Sequence, residues 1–405
     1  MFLIDFQDIG RISSEITAHL CKVTKIIATF AKNRNEMKVE RETAGFALPF
    51  TAGALLAAYS GYGIFNIHTF SLIASPALFA LIMLMHPSRR HLPPAALWLL
   101  IGTAALSAGM ICGYTSSLIS PCHTGSVFWH RAEESGLIIR DAIDRIQFGD
   151  RNCNAVAKAL ITGERKDIPT EIIGTFRDSG ASHILALSGL HLGIIYGIMT
   201  RVLSVFGNHR RLRTVRSILI LSACGFYTAA TGAGPSIMRA FLFILLAETG
   251  RMTGRHHSTA QMVCTALILQ LTLFPLSAKS VGFQLSYAAM SGIAFILPGL
   301  KSFWRGSIYD DRPFIRCIRR IWNACAMSIS CQITTAPLAY LYFGTFPKHF
   351  LLTNLMALPL TGLVIPAIIT TVVLESLGIC PHFAVRLTEA LISTLIYILD
   401  VIAGM

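Results

Sequence analysis

Charge is what this sequence has least of. Only 14% of its 405 residues are Asp, Glu, Lys or Arg, against about 25% in soluble globular domains. Acidic residues are the scarcer sign, 21 against 34 basic. The ten cysteines contain no CxxC pair and no zinc-finger spacing. Most lie in apolar segments, where Cys acts as a small hydrophobe. No GxxxxGK[ST] run is present, so nothing points to an internal nucleotide-driven motor. Residues 1–30 lack the continuous apolar core of a signal peptide.

Apolar sequence is abundant. Hydrophobic residues make up 53% of the chain and mean hydropathy is +0.60. The apolar residues come in long blocks, as transmembrane helices require. The expected fold class is an all-α polytopic membrane protein with roughly 10–11 transmembrane helices and a small helical outer domain. The spans fall near 46–65, 68–85, 95–119, 184–206, 216–232, 236–250, 259–278, 282–299, 321–343, 350–374 and 384–404. The 236–250 span is short, and would be tilted or re-entrant.

Loop charge sets the expected orientation. With the N-terminus inside, Arg89, Arg90, Arg210, Arg211, Arg213, Arg251, Arg255 and the basic loop 301–320 all lie inside. The short outer loops then hold little beyond Lys279 and Lys348. This is the positive-inside asymmetry, and it accounts for most of the +13 net charge without a nucleic-acid partner. Residues 1–45 read as a cytosolic, basic, amphipathic segment. Its apolar positions, from Phe2 to Phe30, recur every three or four residues. It would lie on the inner membrane face, touching lipid phosphates, or pack on a neighbouring element. Residues 46–119 hold the first spans, 120–181 an outer helical segment, and 182–405 the main membrane core. Cys122 and Cys153 both fall in the outer segment, where they would form a disulfide or remain buried free thiols.

The run SHILALSGLHLG, residues 182–193, places polar side chains at the mouth of a span. Ser188 and His191 are three apart and share a helix face. His183 stands at the outer end. Gly189, Gly193 and Gly197 recur every four residues, a face along which another backbone would pack closely. A nucleophile and base at Ser188 and His191 lack a GxSxG elbow and an obvious orienting acid. His183 and His191, eight apart, are poorly spaced as metal ligands. Two readings remain open, a polar lining on a membrane path and hydrogen-bonded helix–helix adhesion. A second cluster is Gly232 to Arg239, where Arg239 near the outer end of a span would bind phosphate or snorkel to headgroups. A third is GFQLSYAA, with Phe283, Gln284, Ser286 and Tyr287 just inside a span. One orientation puts all three clusters on one membrane side, as an outward polar vestibule.

These residues carry a resemblance. Leu160-Ile161-Thr162-Gly163-Glu164-Arg165, Thr175 to Gly180, SHILALSGLHLG, Pro235 to Ala240, GFQLSYAA and Ala336 to Gly344, continuing to Asn354 and Pro359, follow one another as in the ComEC family of competence proteins. The resemblance covers roughly residues 150–375. It implies an inner-membrane channel that carries single-stranded DNA into a bacterium. It also implies a DNA receptor outside, a cytosolic translocase or helicase, single-strand-binding proteins, and no cofactor. His183, Ser188, His191, Arg239, Gln284, Ser286 and Tyr287 would line the path, with Tyr287 and Phe283 stacking on bases. Many members carry an OB-type domain and a metallo-β-lactamase-like domain. Here the 120–181 segment reads as helical and no HxHxDH run exists. A separate nuclease is therefore expected, with no catalytic or metal residues in this chain. An embedded Ser188/His191 hydrolase, a transporter of another anion and an inactive remnant remain the alternatives.

Overall fold

The computed structural model describes residues 36–59, 94–118, 127–205, 210–254, 258–303, 313–344 and 348–405. Every regular element among them is helical. The helices are α1 Glu36–Tyr59, α2 Pro94–Leu118, α3 Val127–Arg145, α4 Arg151–Thr162, α5 Thr170–Asp178 and the single turn α6 Ser182–Leu185. They continue with α7 Gly189–Ser204, α8 Arg210–Ala230, α9 Pro235–Thr253, α10 Thr259–Leu273 and α11 Val281–Ser291. After a π turn at Gly292–Ile296 come α12 Leu297–Ser302, α13 Pro313–Phe343, α14 Phe350–Ser376 and α15 His382–Ala403. The expected 1–30 helix, the 68–85 span and Cys122 lie outside the described residues.

Three described helices are long and apolar enough to cross a membrane: Ala95–Gly113, Val281–Ser302 and Phe350–Ser376. Thr43–Ala58, Gly189–Ser204 and Thr259–Leu273 are apolar but shorter. Large apolar side chains such as Leu99, Leu363 and Leu387 stay exposed, as lipid-facing positions do. The chain is an all-α membrane protein. The expected short span at 236–250 extends to Pro235–Thr253, and the 321–343 span is the end of a helix that begins at Pro313.

Three apolar cores hold the bundle. Phe50 and Ala54 of α1, Ala105 of α2, Val263 and Leu271 of α10, and Phe283 and Tyr287 of α11 form one. Leu192 of α7, Ile220, Cys224 and Tyr227 of α8, and Ile237 and Ile244 of α9 form another. The largest joins Ile143, Val156, Leu160, Phe176 and Ile184 of α3–α6 to Val364, Ile365 and Ile368 of α14 and Ile392, Leu395 and Leu399 of α15. The 127–181 stretch thus shares a core with the last two helices. Hydrogen bonds reinforce that seam. Thr353 Oγ1 donates to the Ser179 carbonyl at 2.6 Å, and the Asp150 amide donates to Glu389 Oε1 at 2.9 Å.

Cys153 is a free thiol buried in this seam, 3.4 Å from Ser393 Oγ. Among the described residues no cysteine is bonded to it, and Cys122, the partner considered for it, lies outside them. Its α-helix buries the apolar face that carries Cys153 against α15, leaving the sulfur within the core.

Glycine-mediated backbone approach occurs among the described residues, but not at Gly193 and Gly197. A Cβ at Gly53 would strike the Leu106 carbonyl, one at Gly109 the Phe50 carbonyl, and one at Gly292 the Ser330 carbonyl. Helices α1 and α2, and the π turn and α13, therefore pack backbone to backbone there. Gly193 and Gly197 face open space among the described residues. A four-residue repeat states that a smooth face exists, and only the neighbours decide whether anything meets it.

Candidate functional site: a polar junction of three helix starts

Ser188 is where α7 begins. Its backbone is extended (φ −124°, ψ 171°) and its Oγ accepts from the Leu190 amide at 3.2 Å. His191 completes a capping box, since the Ser188 amide donates to His191 Nδ1 at 3.2 Å. Together they satisfy amides that the first helical turn leaves without partners. Ser188 Oγ is also 3.1 Å from His191 Nδ1. With Nδ1 accepting a backbone bond, the neutral ring carries its proton on Nε2. That nitrogen is buried and has no partner among the described residues, on a side chain only 1% exposed.

The second helix start is α9. The α8 chain ends in a left-handed turn, with Gly232 at φ 80° and the non-glycine Ala233 at φ 48°. The Ala233 amide donates back to the Thr228 carbonyl at 2.8 Å. Pro235 then opens α9, where its missing N–H costs nothing. Arg239 follows one turn later. Its Nη1 donates to the Ser286 carbonyl of α11 at 2.7 Å. Its Nη2 lies over Gly189, 3.0 Å from where a Cβ would stand. Gly189 is thus the gap through which the guanidinium passes between α7 and α11. Arg239 is half-buried and makes no ion pair among the described residues.

The third start is α11, capped by Ser280 Oγ on the Phe283 amide at 3.2 Å. Ser236 Oγ donates to the Gly282 carbonyl at 3.3 Å, tying α9 to α11. Tyr287 OH donates to Gln270 Oε1 at 2.9 Å, and Gln270 Nε2 donates to the Pro235 carbonyl at 3.1 Å. Gln284 Nε2 donates to the Ala278 carbonyl at 3.0 Å, and Tyr342 OH donates to Gln284 Oε1 at 2.6 Å.

Three motifs separated in sequence therefore meet at Arg239, but several side chains are placed differently from expectation. Phe283 and Tyr287 are 4% and 6% exposed, with ring centroids 4.7 Å apart. Each is packed in an apolar core, so neither ring is free to stack on a base. Ser286 serves the junction through its carbonyl. His183 is exposed, its Nδ1 3.2 Å from the Gly180 carbonyl, and stays apart from the Arg239 contacts. Ser188 and His191 do touch, yet both are engaged in the helix cap, and among the described residues no acid bonds Nε2. Among the described residues no three His, Cys, Asp or Glu side chains gather as a metal would need.

Two participants escaped the sequence reading. Gln270, 1% exposed, bridges α9, α10 and α11. Glu248, also 1% exposed, lies toward the other end of α9. It accepts from Tyr196 OH at 2.7 Å, Ser217 Oγ at 2.6 Å and Arg251 Nη1 at 2.9 Å. The available signal was its isolation, as the one carboxylate in the apolar run of α9.

The fold and this junction define an all-α membrane protein whose helix starts converge on an arginine without an ion pair among the described residues. The chain belongs to the Competence protein family, whose model matches residues 160–405. It is 26% identical over 224 residues to ComE operon protein 3 of Bacillus subtilis, covering 55% of this chain and 27% of that protein. It is 25% identical over 244 residues to Recombination protein 2 of Haemophilus influenzae, covering 58% and 30%. Similarity to an uncharacterized protein of Aquifex aeolicus is 27% over 210 residues, covering 51% and 45%. The chain therefore matches less than half the length of these relatives. No solved structure matches it.

Proposed function

We propose that this chain is a multi-pass component of the bacterial cytoplasmic membrane, its N-terminus inside, through which single-stranded DNA enters during natural transformation. Membership of the competence family supports a role in DNA uptake. The observation that carries the finer reading is Arg239, a half-buried guanidinium without an ion-pair partner among the described residues, at the meeting point of three motif helices. A cation at membrane depth needs an anion or water, and a planar guanidinium suits a phosphodiester. One bond to the Ser286 carbonyl leaves it oriented with donors to spare.

The role we propose for the other junction residues is to hold Arg239 rather than to read the strand. Ser188 and His191 start α7 at the right place, Gly189 leaves the gap, and Tyr287 with Gln270 fixes α11 against α9. Passage requires affinity high enough to admit the strand and low enough to release it, which suits one half-buried cation better than a dense basic patch. We assign the chain transport and not catalysis. Its partners in this reading are an outer DNA receptor, a cytosolic translocase, single-strand-binding proteins and a separate nuclease.

The test follows labelled double-stranded DNA in the native host, comparing wild type, a deletion and Arg239→Gln. Surface capture and cytosolic single strands are scored separately. Capture retained with cytosolic entry lost in the deletion supports the reading, and a parallel loss in Arg239→Gln supports the junction. Unchanged entry in the deletion sinks it.

A further inference from the structure

The far end of α9 holds a second arrangement of opposite emphasis. Arg251 lies twelve residues beyond Arg239, about 18 Å along the helix axis. Its Nη1 is held by Glu248 at 2.9 Å, and its guanidinium sits 5.8 Å from the centre of the Tyr196 ring. Glu248 is fixed in turn by Tyr196 of α7 and Ser217 of α8. Arg251 is nevertheless 48% exposed, while Glu248 is 1% exposed. The buried carboxylate thus takes one edge of the guanidinium and leaves the rest facing outward.

The surroundings are basic. Arg201 near the end of α7 and Arg213 and Arg216 in α8 stand at the same end of these helices as Arg251. Glu248 is the only carboxylate in α7, α8 and α9. Arg216 Nε is buried and has no acceptor among the described residues, although it adjoins Ser217, a Glu248 partner. Arg216 Nε, buried and without an acceptor among the described residues, and the oriented, half-exposed Arg251 leave guanidinium donors at one end of these helices for an anion to take.

We propose that the ends of α7, α8 and α9 around Arg251 form a second phosphodiester-binding site for single-stranded nucleic acid, at the opposite end of α9 from Arg239. Arg251 and Arg216 contact phosphate, and Glu248 and Tyr196 are positioning residues. The inference rests on the DNA-entry reading and deepens it, giving the strand one cationic contact at each end of α9. Bidentate, stacked arginine holds a phosphate in a way that a mobile lysine does not.

The test uses full-length protein in nanodiscs of zwitterionic phosphatidylcholine and a fluorescent single-stranded oligonucleotide of mixed sequence. Affinity is measured across salt concentrations for wild type, Arg251→Lys and the double variant Glu248→Gln/Arg251→Gln. The double variant removes both charges at once, so no buried carboxylate is left unpaired. Each phosphate contact contributes about −0.7 to the salt slope of single-strand binding. The expected result is a slope shallower by about 0.7 in the double variant and retained in Arg251→Lys. A wild type with no salt-dependent binding overturns both this site and the DNA-entry reading. Normal wild-type binding with an unchanged slope in the double variant overturns this site alone. An unchanged slope with less co-purifying anionic lipid assigns the position to lipid headgroups, and equally overturns it.

Discussion

Replacing Ser188 separates a helix cap from a catalytic nucleophile. In the structure Ser188 Oγ accepts from the Leu190 amide and touches His191 Nδ1. Ser188→Ala removes both contacts. Loss of an N-cap costs about 0.5–2 kcal/mol, and loss of a second hydrogen bond costs about 1 kcal/mol. The sum is about 2 kcal/mol, enough to lower the thermal midpoint by a few degrees. Asparagine caps as well as serine does, so Ser188→Asn restores most of that stability. DNA entry per folded molecule then stays near wild type in Ser188→Asn and falls only modestly in Ser188→Ala. A nucleophile behaves differently, because every replacement lacking the hydroxyl loses activity by on the order of 10³-fold or more. The assay is thermal unfolding of the purified full-length protein, paired with cytosolic single-strand counts normalised to membrane-inserted protein. A Ser188→Asn protein that unfolds like wild type, yet admits essentially no DNA, would refute the capping argument and revive the hydrolase.

Other outcomes follow from the same geometry. Gly189→Val should displace the Arg239 guanidinium and depress DNA entry, whereas Gly193→Val, facing open space, should not; equal effects would place the glycine face elsewhere. Tyr287→Phe keeps the buried ring but strands Gln270 Oε1, at a cost of about 1–3 kcal/mol. It should lower the thermal midpoint without changing affinity for single-stranded DNA, and the reverse pattern would return Tyr287 to a stacking role. Lys158 bridges Asp144 and Asp167 at 2.8 and 2.7 Å. Burial pulls the Lys158 pKa down, but the two carboxylates outweigh it and the net shift is upward. The hydrogen bond and charge of Lys158 lower the Asp167 pKa. A lowered folded pKa gives stabilisation that is present above the ordinary carboxylate value and lost as pH falls through the lowered one. Exposure of Asp167 keeps the effect small. Proteolytic protection of the 163–169 loop should fade with acidification in wild type and stay flat in Asp167→Asn.

Composition and block length decided the class of molecule. So few charges and such long apolar runs leave the backbone no stable choice in lipid except helices or a closed barrel, and the run lengths favour helices. The start of α9 was equally legible, because Gly-Pro acts through neighbouring backbone, whereas Ser188 read as lying within the 184–206 span and stands in the structure as the cap that opens α7. The polar clusters could be found because polar groups inside apolar blocks are expensive and need a reason.

What the helices do with those groups is tertiary. Phe283 and Tyr287 read as surface stackers until α1, α2 and α10 cover them. Gly193 and Gly197 read as a packing face, yet no neighbour among the described residues meets them. The 120–181 stretch read as an outer helical segment because its polar faces are visible in sequence, while the apolar faces that join residues 127–181 to α14 and α15 find their partners some 200 residues away. The union of Arg239, Gly189 and Ser286 belongs to no local pattern either, since three helices supply one residue each. Sequence periodicity shows which side of a helix must be covered, and the packing of distant helices decides what covers it.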